Sequence, residues 1–357
     1  MNEPAGGKVP PPPARKERAG LDAAMAEPGM RARISAYPGN LTYLDLIARN
    51  KRASALLMVL MGVLAALTGC VFSAAIAAYG MGAQTLEALL PSAILGALAA
   101  LVVAIGLGMW SWYQGASAIL SMSGAKPITR EVDLELHNVV EEMAIAAGLP
   151  MPRVYLIHDT ALNAFATGRD PQHAAIAITL GLRQKLTRDE LQGVIAHEMA
   201  HVRHLDIRFA MLMATMVGLI VFASDAFWRI IRYAPSGKRN KNGGGAVLVL
   251  LVIAILLAIV APILAHVIQM AYSREREYLA DAGAVELTRN PYGLASALQK
   301  LADDDDPLVD TANRGTAHMY IVNPLRKMRK SHQQINSIFS SHPPVQERIA
   351  RLLALAR

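Results

Sequence analysis

Cysteine is almost missing from this 357-residue chain, where Cys70 stands alone. An internal disulfide framework is thereby excluded, as is any cysteine-built zinc or iron–sulfur site within one chain. Charge is scarce too: 18% of residues are charged, against roughly a quarter in a typical soluble domain. Aromatic residues make up only 5%. What is abundant is apolar, with 53% hydrophobic residues and a mean hydropathy of +0.30. A disordered, collagen-like or coiled-coil chain is excluded over most of the length, and the balance weighs against a purely soluble enzyme. The formal net charge is +7. In so apolar a chain it marks loops at an anionic membrane face rather than a nucleic-acid surface.

Long charge-free runs organise the chain. Residues 1–48 form a Pro- and Ala-rich leader with a four-proline run, Pro10 to Pro13, and its composition predicts disorder. The first long apolar run begins too late for a secretory signal peptide. Ala53 to Ala78 and Leu89 to Tyr113 contain no charged residue. Each exceeds the ~20 residues that cross ~30 Å of hydrocarbon as a helix. Arg49, Lys51 and Arg52 precede the first run, Lys126 and Arg130 follow the second, and the connection between the runs has no Lys or Arg. The positive-inside rule places both flanks in the cytoplasm. A second pair is less regular. Phe209 to Ser224 is short and bounded by Arg208 and Asp225, and Ala246 to Ile268 holds Pro262 and His266. The basic loop from Arg229 to Gly245 lies outside if both runs span, against the charge rule. The pair is either a full hairpin or a partly inserted one.

Between the pairs the chain changes character. Val132, Leu134, Leu136, Val139, Val140 and Met143 predict a helix that Gly148 and Pro150 end. Arg153 to Ile157 and Ala174 to Thr179 read as strands. Leu191 to His201 carries H-E-x-x-H after a Thr187/Glu190 capping box. Leu191, Ile195, Met199 and Val202 share one helical face, with His197 and His201 roughly opposite. Two imidazoles one turn apart can hold a single Zn²⁺, and Glu198 beside them can reach a metal-bound water. His204 lies ~10.5 Å along the axis from His197 on a straight helix, too far to share the ion, and reads as a supporting or surface histidine. A catalytic zinc needs a third protein ligand. Glu277 and Asp281, at i and i+4 of a further helix, can both face one site. One carboxylate can bind metal while another accepts the N–H of a ligating histidine.

The ordered set Ser123 to Lys126, Asn163 to Gly168, His197 to His201, Arg276 to Asp281 and His342 to Pro344 resembles the HtpX-type membrane metalloproteases, relatives of the CAAX prenyl proteases. The resemblance covers about Arg49 to Leu353. It implies one Zn²⁺ per chain held by His197, His201 and Glu277, with Glu198 as general base and Asp281 supporting a zinc-binding histidine. It makes Asn163, Ala164, Phe165 and Ala166 an edge strand at the cleft, where a peptide could add as a further strand. His342 and Arg348 match late family positions, with substrate binding, oxyanion stabilisation and helix packing all open. The implied setting is a multi-pass protein of the bacterial cytoplasmic (inner) membrane with a cytoplasmic catalytic domain. Its implied work is quality control of damaged or misassembled membrane proteins. Protein substrates and the lipid bilayer are the expected partners, nucleic acid is not, and the oligomeric state stays open. The proline-rich leader and the basic loop depart from the family pattern.

The expected fold is α+β: membrane helices and a zincin-like, mostly helical catalytic domain with a small sheet. The expected organisation is a leader (1–48), a two-helix anchor (49–113), catalytic parts at 114–208 and 271–357, and the second hairpin (209–270) between them. A CAAX prenyl protease, a site-2 type intramembrane protease and a non-enzymatic membrane scaffold are the competing readings. The site-2 reading requires the motif to sit within an apolar span, whereas Arg183, Lys185, Arg188, Asp189 and Glu190 precede it.

Overall fold

A computed structural model describes residues 43–80, 83, 85–233, 244–304 and 343–355. Residues 1–42 of the leader, the centre of the basic loop and His342 lie outside the described residues. The described elements are helices α1 (Tyr43–Gly80), α2 (Leu86–Met122), α3 (Leu134–Ala147), α4 (Leu180–Lys185), α5 (Arg188–His204), α6 (Asp206–Tyr233), α7 (Gly244–Thr288), α8 (Pro291–Asp303) and α9 (Val345–Ala354). The strands are β1 (Lys126–Pro127), β2 (Arg153–Ile157), β3 (Ala164–Thr167) and β4 (Ala175–Thr179). The result is a mostly helical α+β membrane protein, as the sequence predicts.

Segments of α1, α2, α6 and α7 are long and apolar enough to cross a membrane: Lys51–Tyr79, Glu87–Met122, Asp206–Tyr233 and Val247–Met270. The third extends beyond the charge-free run Phe209 to Ser224 at both ends, because the helix holds 28 residues. The charges at its start are absorbed by tertiary partners. Asp206 is buried against Arg276, and Arg208 donates to the Arg169 carbonyl. α7 continues without a break from its apolar half into the polar block that carries Glu277 and Asp281. One 45-residue helix is thus both a membrane-length segment and part of the site.

Among the described residues the sheet has strand order β1-β2-β4-β3. β2 and β4 are parallel, and β3 pairs antiparallel with β4, with Phe165 opposite Ala177. This leaves β3 at an edge. Thr179 fastens it: its hydroxyl accepts from the Asn163 N–H at 3.0 Å and donates to the Ala161 carbonyl at 2.6 Å.

Helix α5 sits at the centre of the main core. It starts at a complete capping box, in which Thr187 and Glu190 satisfy each other's backbone N–H groups. It ends at Leu205, whose left-handed φ of 64° breaks the helix directly before α6. Leu191, Val194, Ile195, Met199 and Val202 are fully buried, each contributing roughly 1.5–3 kcal/mol of transfer free energy. The opposite face, predicted from periodicity to be the metal-facing side, is buried as well, because α7 covers it. Gly193 permits the approach of α8, since a Cβ there would lie 2.6 Å from the Leu294 backbone nitrogen.

Candidate metal centre

Helices α5 and α7 bring three side chains to one point. His197 Nε2 and His201 Nε2 are 3.2 Å apart, and the Glu277 carboxylate oxygens lie 3.7 Å from the first and 3.6 Å from the second. The rings stand nearly perpendicular, at 87°. Four donors about 2.0–2.1 Å from a tetrahedral zinc are spaced roughly 3.4 Å apart. The distance between the two imidazole nitrogens and the distances from each to its own Glu277 oxygen lie close to that value, and two imidazoles with one carboxylate form a donor set zinc accepts. The arrangement therefore fits a metal ion.

The other ring nitrogens are committed elsewhere. His197 Nδ1 is 3.0 Å from Asp281 Oδ1, and His201 Nδ1 is 3.0 Å from Asp206 Oδ2. Each carboxylate accepts the Nδ1 proton, which fixes the tautomer and turns the Nε2 lone pair toward the shared point. Each aspartate in turn meets an arginine. Arg348, fully buried on α9, donates from Nη2 and Nε to both Asp281 oxygens at 2.7 and 2.9 Å. Arg276 donates to Asp206 at 3.1 Å. Arg348 Nη1 also lies 3.1 Å from Glu277 Oε2. Buried charges tolerate this environment only as such a paired network.

Burial raises the Glu198 carboxyl to about 7; the His201 charge opposes this and Glu277 adds to it. The Ala166 backbone N–H donates to the same carboxylate. Burial pushes His197 below the ordinary imidazole range despite its bond to Asp281. For His201 burial acts in the same direction, but the Asp206 bond and the Glu277 charge prevail and raise it. Burial opposes ionisation of Asp281, yet Arg348 holds its carboxyl below the usual range.

The predicted strand residues separate. Ala164 and Ala166 belong to the core cluster that includes Leu191, Ile195 and Met199 of α5. Phe165 faces the other way, packed with Ile119, Leu120 and Met211. Asn163 is buried and engaged with Thr179 of its own sheet. His204, open to a surface reading from the sequence, is buried instead, and burial lowers it to about 4. Arg348 does enter the site, whereas His342 lies outside the described residues. Sequence reasoning missed Asp206. The available signal was an acid five residues after His201, beside a break in the helix.

Membrane-length helices around an H-E-x-x-H helix define the class of a membrane metallopeptidase. The chain belongs to peptidase family M48, which matches over residues 131–356. A protein named protease HtpX homolog from Caldanaerobacter subterraneus subsp. tengcongensis is 44% identical over 257 residues, covering 71% of this chain and 83% of that one. Another from Levilactobacillus brevis is 42% identical over 314 residues, covering 86% and 98%. The crystal structure of S. mikatae Ste24p aligns with a TM-score of 0.41 and 20% identity, over 69% of this chain and 58% of that chain.

Proposed function

We propose that this metallopeptidase is a zinc-dependent endopeptidase of the bacterial cytoplasmic membrane. It cleaves membrane or misfolded proteins at the cytoplasmic face as part of protein quality control. The convergence of His197, His201 and Glu277 on one point, with buried Glu198 beside them, carries the reading. These three residues would hold one Zn²⁺ per chain. When bound, zinc supplies Lewis acidity, which makes a water easier to deprotonate and stabilises negative charge on the scissile carbonyl oxygen.

The chain's own residues supply the rest. Glu198, with a carboxyl near neutrality, takes a proton from the attacking water and delivers it to the leaving amine. Asp281 and Asp206 hold the two imidazoles in one tautomer and orientation. Arg348 balances the charge of Asp281 and Glu277. Ala166 orients Glu198 through its N–H, and the free edge of β3 gives an extended peptide a strand to pair with.

The basic residues flanking the first helix pair support the cytoplasmic orientation. The site-2 reading finds no support, since α5 is not one of the membrane-length helices. The test compares cleavage of a membrane-protein substrate with cleavage of its detached soluble loop, using protein in detergent. The reading requires faster cleavage of the membrane-embedded form. Equal rates would remove the membrane-substrate part, and absence of zinc-dependent cleavage of either would remove the whole.

A further inference from the structure

An outward-facing groove of about 420 Å³ lies between α2 and α6, lined by Ile105, Gly108, Met109, Trp112, Tyr113 and Leu212. From Ile105 to Tyr113 it runs eight residues of α2, or ~12 Å along the axis. That is most of one leaflet of a ~30 Å hydrocarbon layer. The polar Gln114 follows Tyr113 directly, and Arg208 stands near the start of α6. This end of the groove is therefore at the membrane–water interface on the side of the metal centre, the level where aromatic residues collect.

Two arginines stand at that end. The Arg208 guanidinium lies 4.9 Å from the Trp112 ring centroid, and that of Arg169 lies 5.5 Å from the Tyr113 ring. Arg169 is partly neutralised: Asp170 is 3.4 Å from its Nε, and His173 Nε2 is 2.7 Å from its Nη2. Arg208 is not. Its Nε donates to the Arg169 carbonyl at 2.8 Å, and among the described residues no carboxylate pairs with it. The Nη1–Nη2 edge thus presents a fork suited to a phosphate. An apolar channel below a positive, aromatic-backed mouth matches an amphiphile whose head is anionic and whose tail is a hydrocarbon chain. A free phosphate would leave the channel unused, and a neutral lipid would leave Arg208 unmatched.

We propose that this groove binds one anionic phospholipid, with an acyl chain along Ile105, Gly108 and Met109 and the phosphate on Arg208. Through the Arg208 bond to the Arg169 carbonyl, the bound lipid steadies the segment that follows β3. The site lies apart from the metal centre and does not depend on the proposed catalytic roles.

Native mass spectrometry of the delipidated full chain in detergent tests this, with phosphatidylglycerol and phosphatidylcholine of the same acyl composition as probes. Wild type should retain one phosphatidylglycerol with about fivefold preference over phosphatidylcholine, the effect of one interfacial arginine. Arg208→Gln should bring the two lipids close to parity. Gly108→Leu fills the channel without altering charge, and nothing lies within 4 Å of the Cβ it adds; it should diminish retention of both lipids. Equal retention of the two lipids by wild type, undiminished phosphatidylglycerol preference in Arg208→Gln, or undiminished retention in Gly108→Leu, would overturn the proposal. Binding is read without cleavage, so neither result depends on zinc or on proteolysis.

Discussion

His201 and Asp206 are bound across the break between two helices. Nδ1 and Oδ2 are 3.0 Å apart, although one residue ends α5 and the other begins the membrane-length helix α6. Leu205, held at a φ of 64°, is the single residue that separates the two helices. A residue at the head of a membrane helix thus sets the orientation of a proposed metal ligand. Asp206→Asn keeps the shape and an acceptor but loses the charge that meets Arg276. It should weaken zinc binding about 10–100-fold, the usual effect of altering a histidine's carboxylate partner. Chelator competition checks this, and an affinity within twofold of wild type would contradict it.

Glu190 gives a prediction about stability and pH. Its carboxylate closes the α5 capping box and also meets Lys300 at 2.7 Å and Ser296 at 2.6 Å. Burial opposes its ionisation, but the Lys300, Ser296 and Thr187 bonds prevail and lower its carboxyl. A lowered folded-state value stabilises the fold above the ordinary glutamate range, and that stability is lost as pH falls through the folded value. Glu190→Gln should cost about 1–3 kcal/mol near neutral pH. The gap in melting temperature from wild type should narrow as pH falls below the ordinary glutamate range. A gap that stays constant or widens with acid contradicts the assignment.

Gly193 predicts a packing effect. A methyl at this position would meet the Leu294 backbone at 2.6 and 2.9 Å, and backbone yields poorly. Although alanine favours helix, Gly193→Ala should destabilise the protein by about 1–3 kcal/mol through overpacking. A thermal melt that is unchanged or raised would show that α8 can move away from α5.

Several elements could be read from local chemistry. The Thr187/Glu190 box marks the start of α5. Gly148, at a φ of 67°, ends α3 where the sequence predicts. The β-branched and alternating runs give β2 and β4, and the H-E-x-x-H spacing gives the two histidines one turn apart. What could not be read depends on distant partners. The charges at Asp206 and Arg208 look like the end of an apolar run until Arg276 and the Arg169 carbonyl are brought to them. Arg348 sits 67 positions from Asp281 and reaches the site only because α9 packs there. Leu205 carries no sequence signal for a left-handed cap, a position usually given to glycine. Phe165 and Ala166 are adjacent in sequence, yet the strand's alternation sends them to opposite faces.

The most direct test pairs zinc content with cleavage. Metal-free wild type and Glu198→Gln, in detergent, are each titrated with Zn²⁺ and given casein as an unfolded substrate. Both should bind one Zn²⁺ per chain, because the proposed ligands are intact. Wild type should cleave, chelation should abolish the activity, and the variant should be slower by about 10²–10⁴-fold for want of its general base. Cleavage by Glu198→Gln at the wild-type rate, or failure of the wild type to bind zinc at all, would contradict the account.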